Sequence, residues 1–162
     1  MKVQVVTLGT GTPRTDPGKV GAATAVVVDG HPYLFDFGPG VGERLKRAAE
    51  LGVEGLSSGT VTRAFLTHMH SDHTSGLADL LLRGWMSGRN RPLEVYGPHG
   101  SDEMASGVAT AYKYDVYKRR HSEPHTEHGH EIVGRCVTPG LVYEDDMVRV
   151  EAFDVPHGDW PD

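Results

Sequence analysis

The stretch Thr67-His68-Met69-His70-Ser71-Asp72-His73 places three imidazoles and one carboxylate within six consecutive residues. An apolar run that ends in Ala64-Phe65-Leu66 precedes it. The segment that follows, from Gly76 to Leu82, has the apolar spacing of a helix. We therefore expect the cluster to lie on a loop between a buried strand and a helix. Loops held on a rigid scaffold often carry ligand-binding and catalytic groups.

The residue types in this cluster favour a metal site. Imidazoles and a carboxylate, without a thiolate, suit Zn²⁺, Mn²⁺ or Fe. His68 and His70 project to the same side of an extended segment and can bind one ion. Asp72 and His73 follow after the chain has turned and could bind a second ion about 3.5–4 Å away, with a bridging hydroxide as the nucleophile of a hydrolysis. The alternatives are a capped loop with a solvated histidine face and an adventitious, tag-like cluster, and the apolar flanks disfavour the second.

Hydrophobic periodicity along the chain predicts a single domain of the α/β (α+β) class, with a layered sheet and helices on one face. The predicted strands are Val3–Leu8, Thr24–Val28, Tyr33–Phe37, Thr60–Leu66, Leu93–Tyr96, Ile132–Val137, Leu141–Tyr143 and Val148–Phe153. The predicted helices are Val41–Leu51, Leu77–Trp85 and Ser101–Tyr117. Asp29-Gly30 between two β runs predicts a tight hairpin. The histidine-rich residues 119–131 are predicted to form a solvated loop.

Composition narrows the possible partners. The formal net charge of −6 argues weakly against a strongly basic nucleic-acid surface. The single cysteine, Cys136, excludes an internal disulfide and fits a reducing compartment. No run approaches the roughly 20 apolar residues of a membrane span. We therefore expect a cytoplasmic protein that does not associate with membranes.

Beyond these physical arguments, the cluster resembles the signature of the metallo-β-lactamase superfamily. Four further segments resemble the ribonuclease Z and arylsulfatase-like branch of that superfamily, and they occur in the expected order. These segments are Leu8–Pro13, Leu34–Gly40, Leu93–Gly100 and Phe153–Gly158. The resemblance implies an αββα sandwich and a binuclear hydrolase that usually contains zinc.

The resemblance also implies a role for each matched position. The implied ligands of the first metal are His68, His70 and His157, and those of the second metal are Asp72 and His73. Asp72 would also shuttle protons as a catalytic residue. Asp36, at the end of a predicted strand, would support the ligand loop from behind.

Two metal ligands of the family have no match in this sequence. The family has a further Asp that bridges both metals and a last His on the second metal, whereas this sequence ends at Asp162. Asp159 stands near His157, but nothing in the pattern makes it the bridging acid. We therefore expect the N-terminal half of a longer family member, with an incomplete second site and weak or no activity alone. An uncovered apolar sheet face would favour association with another copy or a partner.

Two functions of different classes remain open from the sequence. The first is a metal-dependent hydrolase of a phosphodiester, sulfate or other ester. A small-molecule substrate is favoured over RNA, because Asp36-Phe37-Gly38-Pro39 lacks the Cys and Glu associated with tRNA-processing members of the family. RNA remains a possible substrate. The second is a catalytically weak or inactive half-domain that binds metal loosely and serves as an assembly module.

Overall fold

A computed structural model describes residues 1–14 and 16–157, within which eight strands and four helices form. The strands are β1 (Val3–Gly9), β2 (Ala23–Val28), β3 (His31–Phe35), β4 (Arg63–Phe65), β5 (Leu93–Gly97), β6 (Ile132–Cys136), β7 (Gly140–Glu144) and β8 (Arg149–Ala152). The helices are α1 (Val41–Glu50), α2 (Ser71–Thr74), α3 (Leu77–Met86) and α4 (Ser101–Ser122). Each predicted strand and helix is present with shifted ends, and the short helix α2 is additional.

The first six strands form one sheet in the order β1-β2-β3-β4-β5-β6. Strands β1 to β3 are antiparallel, and β3 to β6 run parallel. Asp29 and Gly30 form the two-residue turn between β2 and β3, with φ angles of 46° and 81°. This turn confirms the predicted hairpin, because paired positive φ angles are what a tight hairpin turn requires. The parallel strands bring their carboxyl ends, including that of β4, to one edge of the sheet.

The sheet is covered differently on its two faces. On one face, helices α1, α3 and α4 bury an aliphatic core around Leu34, Ala64 and Val95. On the other face, Phe65 packs within 5.8 Å of Tyr143, measured between ring centroids, under the hairpin of β7 and β8. The predicted α/β class with helices on one face is therefore confirmed, and β7–β8 is the start of a second sheet layer.

The hairpin of β7 and β8 leaves the edge of the main sheet uncovered. Val3 and Val5 of β1 are 51% and 70% exposed. Their side chains lie on the sheet face that packs against β7 and β8, but the hairpin does not extend far enough to cover them. Among the described helices, none is both long and apolar enough to cross a membrane.

The histidine-rich segment 119–131 differs from the predicted solvated loop. Its first residues, 119–122, belong to α4. Further along, the rings of His125 and His130 pack on Trp85, at centroid distances of 4.5 and 5.3 Å. The Trp85 indole N–H donates to the Thr126 carbonyl oxygen at 3.0 Å. The prediction of a solvated loop was wrong here, because the apolar partner of these histidines comes from a distant helix.

Arg89 fastens this segment to α3 from inside the molecule. Its side chain is 1% exposed. The guanidinium donates to the carbonyl oxygens of Leu80 at 3.1 Å, Leu81 at 2.6 Å and Gly129 at 2.9 Å. Burial lowers the pKa of Arg89 to about 10, so the group stays protonated at neutral pH. Carbonyl dipoles rather than a carboxylate therefore stabilise this buried charge.

Candidate metal centre

Three histidines from two distant parts of the chain converge at the carboxyl end of β4. His68 and His70 lie on the extended segment between β4 and α2, and His157 follows β8. Each offers one ring nitrogen, and these three atoms all lie within 4.8 Å of one another. The Nε2 atom of His157 is 3.4 Å from Nδ1 of His70. This spacing fits three imidazoles that surround a single ion, since zinc–nitrogen bonds are about 2.0–2.1 Å long.

Asp72 and His73 lie beside this trio on helix α2. The backbone is extended at His70 and becomes helical at Ser71, so Asp72 and His73 approach the trio from the first turn of α2. Asp72 is buried, and its Oδ2 atom lies 3.7 Å from Nε2 of His73. The ring centroids of His73 and His68 are 4.2 Å apart. The structure thus places the second predicted ligand pair next to the first set.

Asp36 lies behind the ligand loop. Nδ1–H of His73 donates to its Oδ2 atom at 2.7 Å, and the Thr67 backbone N–H donates to its Oδ1 atom at 2.9 Å. Because a carboxylate only accepts hydrogen bonds, this contact fixes the proton of His73 on Nδ1 and leaves Nε2 available to a metal. Asp36 has a φ angle of +59°, which few residues other than glycine adopt. Its own N–H donates to the carbonyl oxygen of Phe65, which ties it to the end of β4.

Thr67 extends the influence of Asp36 to a second histidine. The Thr67 hydroxyl oxygen lies 3.0 Å from the Asp36 carboxylate and 3.0 Å from Nδ1 of His68. The hydroxyl donates to the carboxylate and accepts from Nδ1–H of His68, which again leaves Nε2 free. Sequence reasoning missed this residue. A hydroxyl directly before the first histidine was the available signal.

Two glycines, Gly21 and Gly38, let the chain pass close to α2. A Cβ atom on Gly38 or Gly21 would collide with the carbonyl oxygen of Asp72. Next to them, Ala22 N–H donates to that same oxygen at 3.0 Å, and Phe37 N–H donates to His73 O at 2.8 Å. The backbone of α2 is therefore held directly by the segments before β2 and after β3.

The electrostatics of the cluster favour metal binding. Burial lowers the pKa of His68, and the neighbouring His73, His157 and His70 lower it further, while Asp36 opposes them. His68 is therefore held as the neutral imidazole that coordinates a metal. Four imidazoles with one buried carboxylate also form a donor set suited to zinc. The described residues thus fit a divalent ion on chemical grounds. Asp159 lies outside the described residues.

Comparison with known proteins finds one family match and a set of similar curated relatives. Residues 17–147 match the family described as the metallo-beta-lactamase superfamily. Ribonuclease Z from Mycobacterium sp. (strain KMS) is 33% identical over 157 residues, which cover 96% of this chain and 53% of the relative. Ribonuclease Z from Mycobacterium avium (strain 104) is 33% identical over 160 residues, 54% of its length. The chain spans about half the length of the curated relatives it matches.

Solved structures share the fold. Human tRNase Z, short form, superposes with a TM-score of 0.68 at 25% identity, over 92% of this chain and 57% of that chain. The metallo-beta-lactamase fold protein YhfI from Bacillus subtilis superposes with a TM-score of 0.58 at 16% identity, over 85% of this chain and 47% of that chain. At this identity the likeness shows the fold alone. Since the family match extends over most of the sequence and includes His68, His70 and His73, this chain belongs to the metallo-β-lactamase superfamily.

Proposed function

We propose that this chain forms the metal-binding face of a hydrolase that cleaves phosphodiester bonds in RNA. The observation that carries the proposal is the meeting of His68, His70 and His157 within 4.8 Å, although His157 is remote from the other two in sequence. A solvated histidine-rich loop would not need a third imidazole from the far end of the chain. The similarity to proteins named ribonuclease Z supports the reaction class.

The proposed cofactor is a pair of divalent cations, zinc in the first place, with manganese or iron as alternatives. The trio His68, His70 and His157 would hold the first ion, and Asp72 with His73 would contribute to the second. Bound ions supply Lewis-acid polarisation of the phosphoryl group and activation of water. Asp36 and Thr67 keep the Nε2 atoms of His73 and His68 free of protons for this purpose.

Asp72 is the proposed proton carrier. Its carboxylate is 9% exposed and lies 3.7 Å from the His73 ring, inside the cluster. In the proposed reaction the carboxylate accepts a proton from the attacking water and passes it to the leaving oxygen. A buried carboxylate is suited to this role because it meets few competing water molecules.

The substrate class rests on two considerations that point in different directions. The Asp36-Phe37-Gly38-Pro39 segment favours a small ester, whereas the relatives named ribonuclease Z favour RNA. We place RNA first, because the similarity to those relatives covers 96% of this chain. Small phosphodiesters and sulfate esters are the alternative substrates. A cytoplasmic location and association between copies also stay predictions.

The test compares hydrolysis by the intact gene product that carries this chain and by its His70→Ala variant, with bis-p-nitrophenyl phosphate and end-labelled RNA as substrates and Zn²⁺ or Mn²⁺ added. Loss of a direct ligand should lower kcat/KM by more than the roughly 100-fold typical of an outer-shell partner. The matched control is His128→Ala, since His128 is exposed and pairs with Glu127 and Glu131 on its own loop. An intact gene product that binds zinc but cleaves neither substrate would contradict hydrolysis and favour the assembly module.

A further inference from the structure

Helices α1 and α3 enclose an open groove that is separate from the histidine cluster. The groove has a volume of about 910 Å³, and its walls are the two helices and the loops that carry Pro17 and Ser58. None of the residues proposed above as metal ligands, all of which the structure describes, lines it. Small-molecule sites usually measure roughly 300–1,000 Å³. The groove is therefore large enough for a ligand of its own.

Small residues on α1 keep the groove open. Gly42 lines it, and a Cβ atom on Gly42 would collide with Oδ2 of Asp79 and Cδ of Arg83 on α3. Ala49 lies two turns further along the same side of α1 and also lines the groove. Because neither residue carries a side chain beyond Cβ, the space between the helices stays unfilled, and the polar groups of its walls remain accessible.

Arg83 lines the groove with a guanidinium that is held at one atom and open at two. Its Nε–H donates to Oδ1 of Asp79, and this hydrogen bond raises the pKa of Arg83, so the group stays charged. Within the described part of the chain, no acceptor takes a hydrogen bond from its Nη1 or Nη2 atom. The Arg83 side chain is 50% exposed. Two parallel N–H donors of this kind match two oxygens of one phosphate group.

Two further polar groups of the groove lack a partner. Ser58 is 6% exposed, and among the described residues its hydroxyl makes no hydrogen bond, although buried polar groups normally have a partner. Ser58 is next to Arg83, since its carbonyl oxygen is 2.8 Å from the position of a Cβ atom on Gly84. Lys46 of α1 is exposed in the groove, and no acidic oxygen of the described residues is within 4.0 Å of its ammonium.

We propose that the groove between α1 and α3 binds a nucleoside monophosphate. The Arg83 guanidinium, the Lys46 ammonium and the Ser58 hydroxyl supply the donors and the positive charge that a phosphate dianion requires. Glu43 lines the same groove and can accept hydrogen bonds from the sugar hydroxyls. Met86, on the α3 wall, is 43% exposed and offers the base a polarisable apolar contact.

The charge of the groove favours a single nucleotide over RNA. Cations exceed acids in the lining by two, which matches one phosphate dianion. The charged lining residues are Arg44, Lys46, Arg47, Arg83, Glu43 and Glu50. A continuous RNA backbone would bring phosphates against both acids, on a chain whose net charge is −6. Binding in this groove does not depend on hydrolysis at the histidine cluster.

Calorimetric titration of the intact gene product with AMP tests the proposal. The wild type should bind AMP saturably. Arg83→Lys keeps the charge but loses the paired donors, so the dissociation constant should rise at least about tenfold, as expected when a hydrogen bond to a charged group is lost. Ala49→Phe fills the groove without a change of charge and should weaken binding as well. Arg149→Lys is the matched control, because Glu151 also holds Nε of Arg149, at 2.7 Å, but on β8.

The same titration of His70→Ala separates the groove from the metal centre, and AMP binding should be retained there. AMP binding that is lost in His70→Ala but unchanged in Arg83→Lys would overturn the proposal and assign the nucleotide to the metal centre. A wild type without saturable AMP binding would also overturn it, as would inorganic phosphate that binds as tightly as AMP. Single-stranded RNA that binds where AMP does not, and is weakened by Arg83→Lys, would instead assign the groove to RNA. Circular dichroism on each variant excludes unfolding as the cause.

Discussion

Replacement of Asp36 by asparagine should invert the tautomer of a metal-ligating histidine without a change of shape. The Asp36 carboxylate accepts from Nδ1–H of His73 at 2.7 Å and from the Thr67 backbone N–H at 2.9 Å. The substituted asparagine can keep the second bond through its carbonyl oxygen, but its amide group then faces His73. An amide N–H requires an acceptor, so the His73 proton moves to Nε2 and blocks the atom that would bind metal. The left-handed φ angle of +59° is tolerated by asparagine.

The loss of zinc affinity in Asp36→Asn can be estimated from the histidines that the Asp36 carboxylate orients. Loss of an outer-shell partner of a metal-ligating histidine costs about 10–100-fold in metal affinity. At about 1.4 kcal/mol per tenfold change, the binding free energy should weaken by about 1.4–2.8 kcal/mol. Asp36 touches His73 directly and His68 through Thr67, so both metal positions are affected. For the one tightly bound ion we expect the lower part of that range, because Asp36 reaches its ligand His68 only through Thr67.

Two measurements check this prediction. Zinc affinity is obtained by competition with a chromophoric chelator, and ¹⁵N-resolved NMR of the metal-free chain identifies which ring nitrogen of His73 carries the proton. Asp29→Asn is the matched control, because Asp29 also has a positive φ angle, of 46°, but lies at the β2–β3 turn. The reasoning is refuted if Asp36→Asn binds zinc within twofold of the wild type while His73 keeps its proton on Nδ1.

Three further substitutions have defined outcomes. Arg89→Met leaves buried carbonyl oxygens without a hydrogen-bond donor, so the free energy of unfolding in urea should fall by roughly 3 kcal/mol. An unchanged urea midpoint of unfolding would contradict this prediction. In Gly38→Ala the added Cβ atom collides with the carbonyl oxygen of Asp72, so zinc affinity should fall at least about tenfold. Gly18→Ala is the control and should keep its zinc affinity, because a Cβ atom fits there. Burial raises the pKa of Asp145, but hydrogen bonds from Tyr143 and Tyr33 lower it well below its usual 3.8. The free energy of unfolding of the wild type should therefore fall as pH falls below about 4, and this fall should be smaller in Asp145→Asn. Acid-unfolding measurements in which both proteins lose stability equally with pH would contradict this role of Asp145.

Features that depend on local chemistry were predictable from the sequence. Asp29-Gly30 predicted the hairpin because only a few residue pairs adopt two consecutive positive φ angles. The apolar run before Thr67 and the helical spacing after Gly76 predicted the position of the cluster, since both signals lie within a few residues of it. The resemblance to the superfamily supplied His157, which no local pattern connects with the cluster.

Features that depend on distant contacts were not predictable in the same way. His125 and His130 look solvated in sequence, but Trp85 of α3 packs against them. The deciding partner of these histidines becomes visible only once the chain is folded. Helix α4 also ends at Ser122 rather than Tyr117, but there the signal was local, because Asp115 and Arg119 form an i,i+4 ion pair that stabilises the longer helix.

A zinc titration monitored by calorimetry tests the central claim that His68, His70 and His157 form one metal site. The account predicts one tightly bound ion per wild-type chain, because three imidazoles converge at the first position while Asp72 and His73 alone are too few for tight binding. That ion should be lost in His157→Ala and retained in His128→Ala. Two tightly bound ions per wild-type chain, or wild-type affinity in His157→Ala, would contradict the account.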